Sequence, residues 1–209
     1  MSTVAPEHLV TTPEALDRLY EAPVGNALLK EIDHINAPYR ALIEAAPFFA
    51  LATSGPDGLD CSPRGDAAGF VRVHDDRTLL VPDRRGNNRI DSLRNLLIDP
   101  RVALLFLIPG CGETLRVNGR AVISTDPALT RSFIVEGKTP RSVIVVTVER
   151  VYYQCPKALV RAKLWDPESW FDRKSLPTAG KILAAITNGQ TDAERHDREY
   201  PERMKATIY

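Results

Sequence analysis

The chain has 209 residues, of which 44% are apolar, so it is long enough to bury the core of one full-sized domain. It carries 27 Lys and Arg against 27 Asp and Glu residues, a balance that argues against general attraction to nucleic acid or to an anionic membrane. Because its apolar runs are too short to cross a bilayer and residues 1–12 lack a signal pattern, we expect a cytoplasmic protein.

Helical patterns open the chain. Thr12 and Pro13 have the order of an N-cap followed by proline at the first helical position. Apolar residues then recur at roughly helical spacing over residues 27–46. We therefore predict that residues 1–46 form a helical extension.

Short strands are predicted after this extension. Residues 48–53 and 59–64 flank a turn sequence, Gly-Pro-Asp-Gly at 55–58, which favours a hairpin. Residues 69–73 and 78–81 predict two further strands.

An arginine-rich turn, Asp-Arg-Arg-Gly-Asn-Asn-Arg at residues 83–89, follows the last of these strands. A helical pattern comes next, because Ile90, Leu93 and Leu97 recur at i, i+3 and i+7. A strand, a Gly/Asn turn and a helix start can direct backbone N–H groups at an oxyanion, and the arginines add charge. The turn therefore predicts a phosphate site, and the alternative is a solvated loop that binds nothing.

The remaining patterns are mostly those of strands. Residues 102–108 are apolar throughout, as expected of a central strand covered on both faces, and residues 114–123 alternate with a polar face. A short helix is predicted at 126–133 and a long strand at 142–154. We predict a mostly β fold of the α+β class, with a six- to seven-stranded barrel over residues 47–165. A tail with one helix at 179–187 would complete the chain over residues 166–209.

The cysteines and histidines indicate neither a disulfide framework nor a metal site. Cys61, Cys111 and Cys155 are odd in number and widely spaced, which suits a reducing compartment. The four histidines show no spacing typical of metal ligands.

The order of the motifs resembles the FMN-binding split-barrel family typified by pyridoxamine 5'-phosphate oxidase. The resemblance covers about residues 48–165. Its motifs are Cys-Ser-Pro-Arg-Gly at 61–65, the basic turn and helix at 83–95, Asp-Pro-Arg at 99–101, and Arg-Val-Asn-Gly-Arg-Ala at 116–121. Residues 157–165 are similar to the end of a branch described as FMN-dependent enzymes. The resemblance implies an antiparallel split barrel and a homodimer with FMN at the subunit interface.

The resemblance and the residue types together predict the cofactor contacts. Arg64 shares the polar face of its strand with Asp60 and Ser62 and would point into the same cleft as the basic turn. The residues expected to hold FMN are Ser62, Arg64, Val81, Arg84, Gly86, Asn87, Asn88, Arg89, Arg116, Asn118, Arg161 and Trp165. Of these, Ser62 and Val81 would act through backbone groups, and Gly86 would let the backbone approach.

Two of these assignments have alternatives. Arg116 and Asn118 would reach across the dimer interface, or they could be the solvent face of an edge strand. Trp165, with Arg161, would close the site of the other subunit, or it could anchor the tail.

The chain departs from the oxidases themselves at two places. Gly65 to Ala68 follow Arg64 without the further lysine of those enzymes, and the chain runs to Tyr209 without their substrate-gripping arginine. Oxidation of pyridoxamine phosphate is therefore not expected. The leading hypothesis is an FMN-dependent oxidoreductase acting on an unidentified small molecule, with NAD(P)H as the electron donor to test. The alternatives are a non-catalytic flavin-binding or carrier protein, or a protein for another cofactor such as a deazaflavin or haem.

Overall fold

Seven antiparallel strands form one sheet in a computed structural model of the protein, which describes residues 3–23 and 25–209. The strands are β1 (Phe48–Gly55), β2 (Gly58–Gly65), β3 (Arg72–Val73), β4 (Thr78–Pro82), β5 (Arg101–Leu107), β6 (Thr114–Ser124) and β7 (Val143–Gln154). Their order is β2-β1-β5-β6-β7-β4-β3, so β2 and β3 are the edges and the sheet does not close. The prediction of a six- to seven-stranded antiparallel split barrel with flanking helices is confirmed.

The predicted hairpin is present, whereas the strand predicted at 69–73 is mostly a turn. β1 and β2 pair from Phe48 opposite Gly65 to Gly55 opposite Gly58. Ahead of β3, the N–H of Phe70 donates to the carbonyl of Ala67 at 3.1 Å. This turn leaves two residues of the predicted strand to pair with β4.

Eight α-helices flank the sheet in the described part of the chain. They are α1 (Pro13–Asp17), α2 (Asn26–Leu29), α3 (Ala37–Ala45), α4 (Asp91–Leu96), α5 (Pro127–Ser132), α6 (Lys157–Ala162), α7 (Ala179–Ile186) and α8 (Ala193–Thr207). Among the residues described, no helix combines the length and the apolar character needed to span a membrane.

The N-terminal extension is less helical than predicted. Thr12 does cap α1, since its hydroxyl accepts the N–H of Ala15 at 3.2 Å. The pattern over 27–46 is interrupted, however, because Ile32 pairs with Val151 of β7 and Asn36 caps a new helix, α3. Residues 1, 2 and 24 of the predicted extension lie outside the described residues.

The core lies on the inner face of the sheet. Phe49 stacks on Phe70 with ring centroids 5.8 Å apart and contacts Phe106 at 5.1 Å. On β5, alternate residues are buried on this face, whereas Leu105 and Leu107 on the other face are partly exposed. The prediction that β5 is covered on both faces is therefore wrong for the single chain.

Candidate cofactor site

A cavity of about 1200 Å³ lies beside β2, where the sheet is open. Its walls come from the inner face of β2, the turn between β4 and α4, and residues 138–142 before β7. Ligand pockets in proteins are typically about 300–1000 Å³, so this volume can take a cofactor of flavin size. The predicted contact residues that line it are Ser62, Arg64, Arg84, Gly86, Asn87, Asn88 and Arg89.

Arg64 presents an unpaired donor in this cavity. Its Nη1 donates to the main-chain oxygen of Pro63 at 3.0 Å. Its Nε is buried and has no hydrogen-bond partner among the described residues. A buried donor without an acceptor costs roughly 1–3 kcal/mol, and more when it is charged, so a bound anion would satisfy this group.

Arg84 is engaged in a buried ion pair. Its Nε donates to Oδ2 of Asp66 at 2.6 Å, and its Nη1 donates to the carbonyl of Phe133 at 2.7 Å. The two charged side chains are 16% and 4% exposed, respectively. Arg84 therefore lines the cavity with two acceptors already in place, and its contact with a phosphate stays a prediction.

Asp66 is held in its charged form. Burial alone would raise the pKa of this carboxyl, but hydrogen bonds from the Tyr209 phenol, the Ala67 amide and Arg84 together keep the pKa below its usual value. Arg84 on the cavity wall is thus paired with a charged carboxylate that its neighbours stabilise.

The start of α4 carries less positive charge than expected. Arg89 forms an ion pair with Asp91 in the first turn of this helix, at 2.5 Å, and its side chain is 81% exposed. Asp91 also offsets the partial charge of the helix N-terminus, and Ile90 before it supplies no capping side chain. The attraction of the turn for an anion therefore depends on its side chains more than on the helix.

Within the turn, Asn88 rather than Gly86 adopts the special backbone conformation. Asn88 has a φ of 61°, a left-handed value that asparagine tolerates better than most residues. A Cβ added to Gly86 would meet nothing within 4 Å, so the fold does not require glycine there. The oxygen of the Asn88 side chain accepts a long hydrogen bond, 3.4 Å, from Arg141.

A hydrogen-bonded cluster joins α4 to β2 beneath the cavity. Oδ2 of Asp60 accepts the hydroxyls of Ser62 and Ser92 at 2.9 and 2.7 Å. Ser92, on α4, is 2% exposed. These bonds fix the helix across the opening of the sheet and hold the basic turn in place.

Asp83 is a carboxyl on the cavity wall to which the sequence assigned no role. Burial raises its pKa, although the nearby Arg64 and Arg141 oppose the rise. Asp83 is therefore easier to protonate than an ordinary aspartate and is a candidate for holding a proton in this cavity.

Five predicted contact residues lie away from the cavity. The side chain of Val81 is buried in the core, and Arg161 lies on α6. Nη1 of Arg116 donates to the Tyr152 hydroxyl at 2.8 Å. Asn118 lies on β6 opposite a bulge of β7, and because β6 pairs with strands on both sides, the alternative of an edge strand is wrong.

The fifth of these residues, Trp165, anchors the start of the tail. Its Nε1 donates to the carbonyl of Cys111 at 2.7 Å. This contact favours the alternative in which the tryptophan is a structural anchor. Its closure of another subunit's site stays a prediction.

Sequence reasoning missed a second side of the cavity, formed by Lys138, Thr139, Arg141 and Tyr209. A Gly-Lys-Thr-Pro-Arg sequence at 137–141, with two cations in a turn, was the available signal for the first three. Nothing local marks Tyr209. Within the described residues, no group of three or more His, Cys, Asp or Glu side chains is placed to hold a metal ion.

A sequence model described as pyridoxamine 5'-phosphate oxidase matches residues 35–155, more than half of the chain. The chain belongs to the pyridoxamine 5'-phosphate oxidase family. The matched segment contains all seven strands and the basic turn, while Tyr209 lies beyond it.

Solved structures also align with this family member. HupZ of Group A Streptococcus is 19% identical, with 58% of this chain and 94% of that chain covered and a TM-score of 0.48. General Stress Protein 26 of Bacillus anthracis is 18% identical, with 54% and 88% covered and a TM-score of 0.42. An FMN-binding protein of Syntrophomonas wolfei is 13% identical, with 55% and 82% covered and a TM-score of 0.42. No curated protein sequence matches this chain.

Proposed function

We propose that the protein binds FMN in this cavity and uses it in an oxidoreductase reaction on a small molecule. The observation that carries the proposal is the buried Nε of Arg64, which lacks an acceptor in a cavity large enough for a flavin. Membership of the pyridoxamine 5'-phosphate oxidase family supports a flavin as the ligand. When bound, a flavin supplies hydride transfer, and the protein supplies binding and orientation.

Arg64 would donate to an oxyanion of the cofactor phosphate. Asn87 and Asn88 would add amide donors from the turn, and Arg89, which is ion-paired with Asp91, would add guanidinium donors at the mouth of the cavity. Asp83 would hold or release a proton on the same wall. The other assignments from the sequence, backbone contacts of Ser62 and Val81 and a contact of Arg84, belong to this proposal.

A homodimer with the cofactor at its interface is part of the proposal. The sheet has an outer face formed by Phe48, Leu105, Leu107 and Val122, whose side chains are partly or largely exposed in one chain. Burying this face against a second copy would remove apolar area from water. A part of the partner chain that reaches the open side of the cavity would provide the second wall that a flat ring system needs. Arg116 and Asn118 would then reach across the interface, with Arg161 and Trp165 of the partner subunit closing the site.

A cytoplasmic location and the boundaries at 46/47 and 165/166 remain our proposals. All three cysteines are free, which is compatible with a reducing compartment.

The test of cofactor binding uses Arg64→Gln. We expect the wild-type protein to bind added FMN with a perturbed flavin spectrum, and Arg64→Gln to bind it roughly 10- to 100-fold more weakly, since a charge-assisted hydrogen bond would be lost. Arg131→Gln is the matched control, because Arg131 is exposed on α5 and does not line the cavity. Equal affinity of both variants, measured by fluorescence titration, would refute the role of Arg64.

A second candidate function is a flavin carrier or store without turnover. It is favoured by the composition of the cavity wall, which contains neither His nor Cys in the described part of the chain. Stopped-flow mixing of the FMN-loaded protein with NADH and with NADPH separates the two, because an enzyme should lose its flavin absorbance rapidly with one of them. The same absorbance spectrum distinguishes FMN from a deazaflavin or haem.

A further inference from the structure

Tyr209 reaches the cavity from the far end of the tail. Its hydroxyl donates to Oδ1 of Asp66 at 2.7 Å, and its ring centroid lies 5.7 Å from the Arg84 guanidinium carbon. Its main-chain oxygen accepts Nζ of Lys138 at 3.0 Å. Three segments of the cavity region, each from a different part of the chain, therefore hold this one residue.

The rest of the tail is weakly attached to the barrel. α7 and α8 pack on each other, with the N–H of Gly180 donating to Asp197 at 2.8 Å, and no side chain of α8 is buried. Within the described residues, two hydrogen bonds join the tail, residues 166–209, to the barrel, residues 48–154. Both involve Tyr209. Docking of the tail thus depends strongly on this residue.

Asp66, which accepts the Tyr209 hydroxyl, also accepts a hydrogen bond from Arg84 on the cavity wall. Asp66 gives one carboxylate oxygen to Arg84 and the other to Tyr209. This carboxylate is 4% exposed while Tyr209 is docked. Oδ1 of Asp66 also accepts the Ala67 amide at 2.7 Å, so release of Tyr209 would remove one of the two donors to this oxygen beside the cavity.

We propose that Tyr209 completes the wall of the cofactor cavity and caps it, so that exchange of the cofactor is slowed. This inference rests on the proposed binding of FMN. It adds a part of the chain that lies outside the matched family segment and contains none of the motifs on which the cofactor site was predicted.

The experiment measures release of FMN from the full-length, FMN-loaded protein, by the recovery of flavin fluorescence after dilution. Tyr209→Phe keeps the ring and removes the hydrogen bond to Asp66, and we expect roughly tenfold faster release. Tyr209→Ala, which removes the ring as well, should release FMN at least as fast. Tyr200→Phe is the matched control, because Tyr200 lies on α8 and away from the cavity, and its release rate should equal that of the wild type.

A second readout needs no flavin. In the unloaded protein, Tyr209→Ala should increase hydrogen exchange along α8 and at the Ala67 amide, which bonds to Asp66 at 2.7 Å. Unchanged exchange, or normal FMN binding with unchanged release in both Tyr209 variants, would overturn the cap and leave the proposed function intact. A wild-type protein that binds no FMN would overturn the proposed function and the cap together.

Discussion

Arg64 and Asp66 are two residues apart and differ in whether their polar atoms have hydrogen-bond partners. Arg64 keeps a buried donor without an acceptor, whereas both carboxylate oxygens of Asp66 are bonded. The alternation on β2 was enough to predict that Arg64 points inward with Ser62. The pairing of Asp66 with Arg84 was not predictable, because it depends on a turn after β2 that brings together residues 18 apart.

Asp83 gives a pH prediction. Burial raises the folded-state pKa of this carboxyl above its usual value of 3.8, so the wild type should lose stability as the pH rises from that value through the folded pKa. Asp83→Asn avoids the buried charge, so at neutral pH we expect a higher free energy of unfolding than in the wild type. The difference should vanish below the usual pKa.

Urea unfolding over a pH series measures this difference. Asp57→Asn is the control, because Asp57 is exposed in the turn between β1 and β2, and it should unfold like the wild type throughout. A variant that is equally or less stable than the wild type at neutral pH would contradict the interpretation of Asp83.

At the scale of elements, strands were predicted better than helices. Alternation located β6, which buries one face, and the content of Val, Ile, Thr and Tyr located β7. The Gly-Pro-Asp-Gly sequence located the hairpin. The 15-residue helix α8 was not predicted, because it contains Pro201 and buries no side chain, so its sequence has no apolar periodicity. The helical prediction for residues 27–46 was wrong for a different reason. Ile32 forms a β-bridge with Val151 of β7, and this pairing interrupts the helix.

The close pairing of β6 with the bulge of β7 leads to a prediction at this scale. A Cβ at Gly119 would lie 2.0 Å from the carbonyl oxygen of Thr147 in β7, so the two strands would have to separate. We expect Gly119→Ala to lower the free energy of unfolding by about 3 kcal/mol, because overpacking against backbone has no cheap relief. Arg131→Ala, at an exposed position on α5, should change it by less than about 0.5 kcal/mol. Equal denaturant midpoints for the two variants would contradict this account.

At the scale of the whole molecule, the outer face of the sheet predicts the oligomeric state. Each chain has a mass of 23.2 kDa, so a homodimer should sediment as twice that, 46.4 kDa. Val122 is 64% exposed on this face, and Val122→Glu should shift the protein toward the monomer without unfolding it. Ile134→Glu, which changes an apolar side chain that is 50% exposed elsewhere, is the control.

Analytical ultracentrifugation over a concentration series measures this shift. A wild-type protein of 23.2 kDa at all concentrations would contradict the dimer and the assignments of Arg116, Asn118, Arg161 and Trp165 that depend on it. The predicted contacts lie between subunits, so the residue pattern within one chain does not report them.

The second side of the cavity could not be predicted for a related reason. Lys138 and Arg141 come from a loop, and Tyr209 comes from the far end of a mostly polar tail. Their approach to β2 results from the path of the whole chain, and sequence periodicity contains no information about contacts over such distances.

The attachment of Tyr209 has a practical consequence for anyone purifying the protein. An affinity tag fused after this residue would begin beside Lys138, at the mouth of the cavity, and would compete with the contacts that dock the phenol. Preparations tagged in this way should differ in flavin content from preparations with a tag ahead of Met1, and the spectroscopy should therefore be done on the latter.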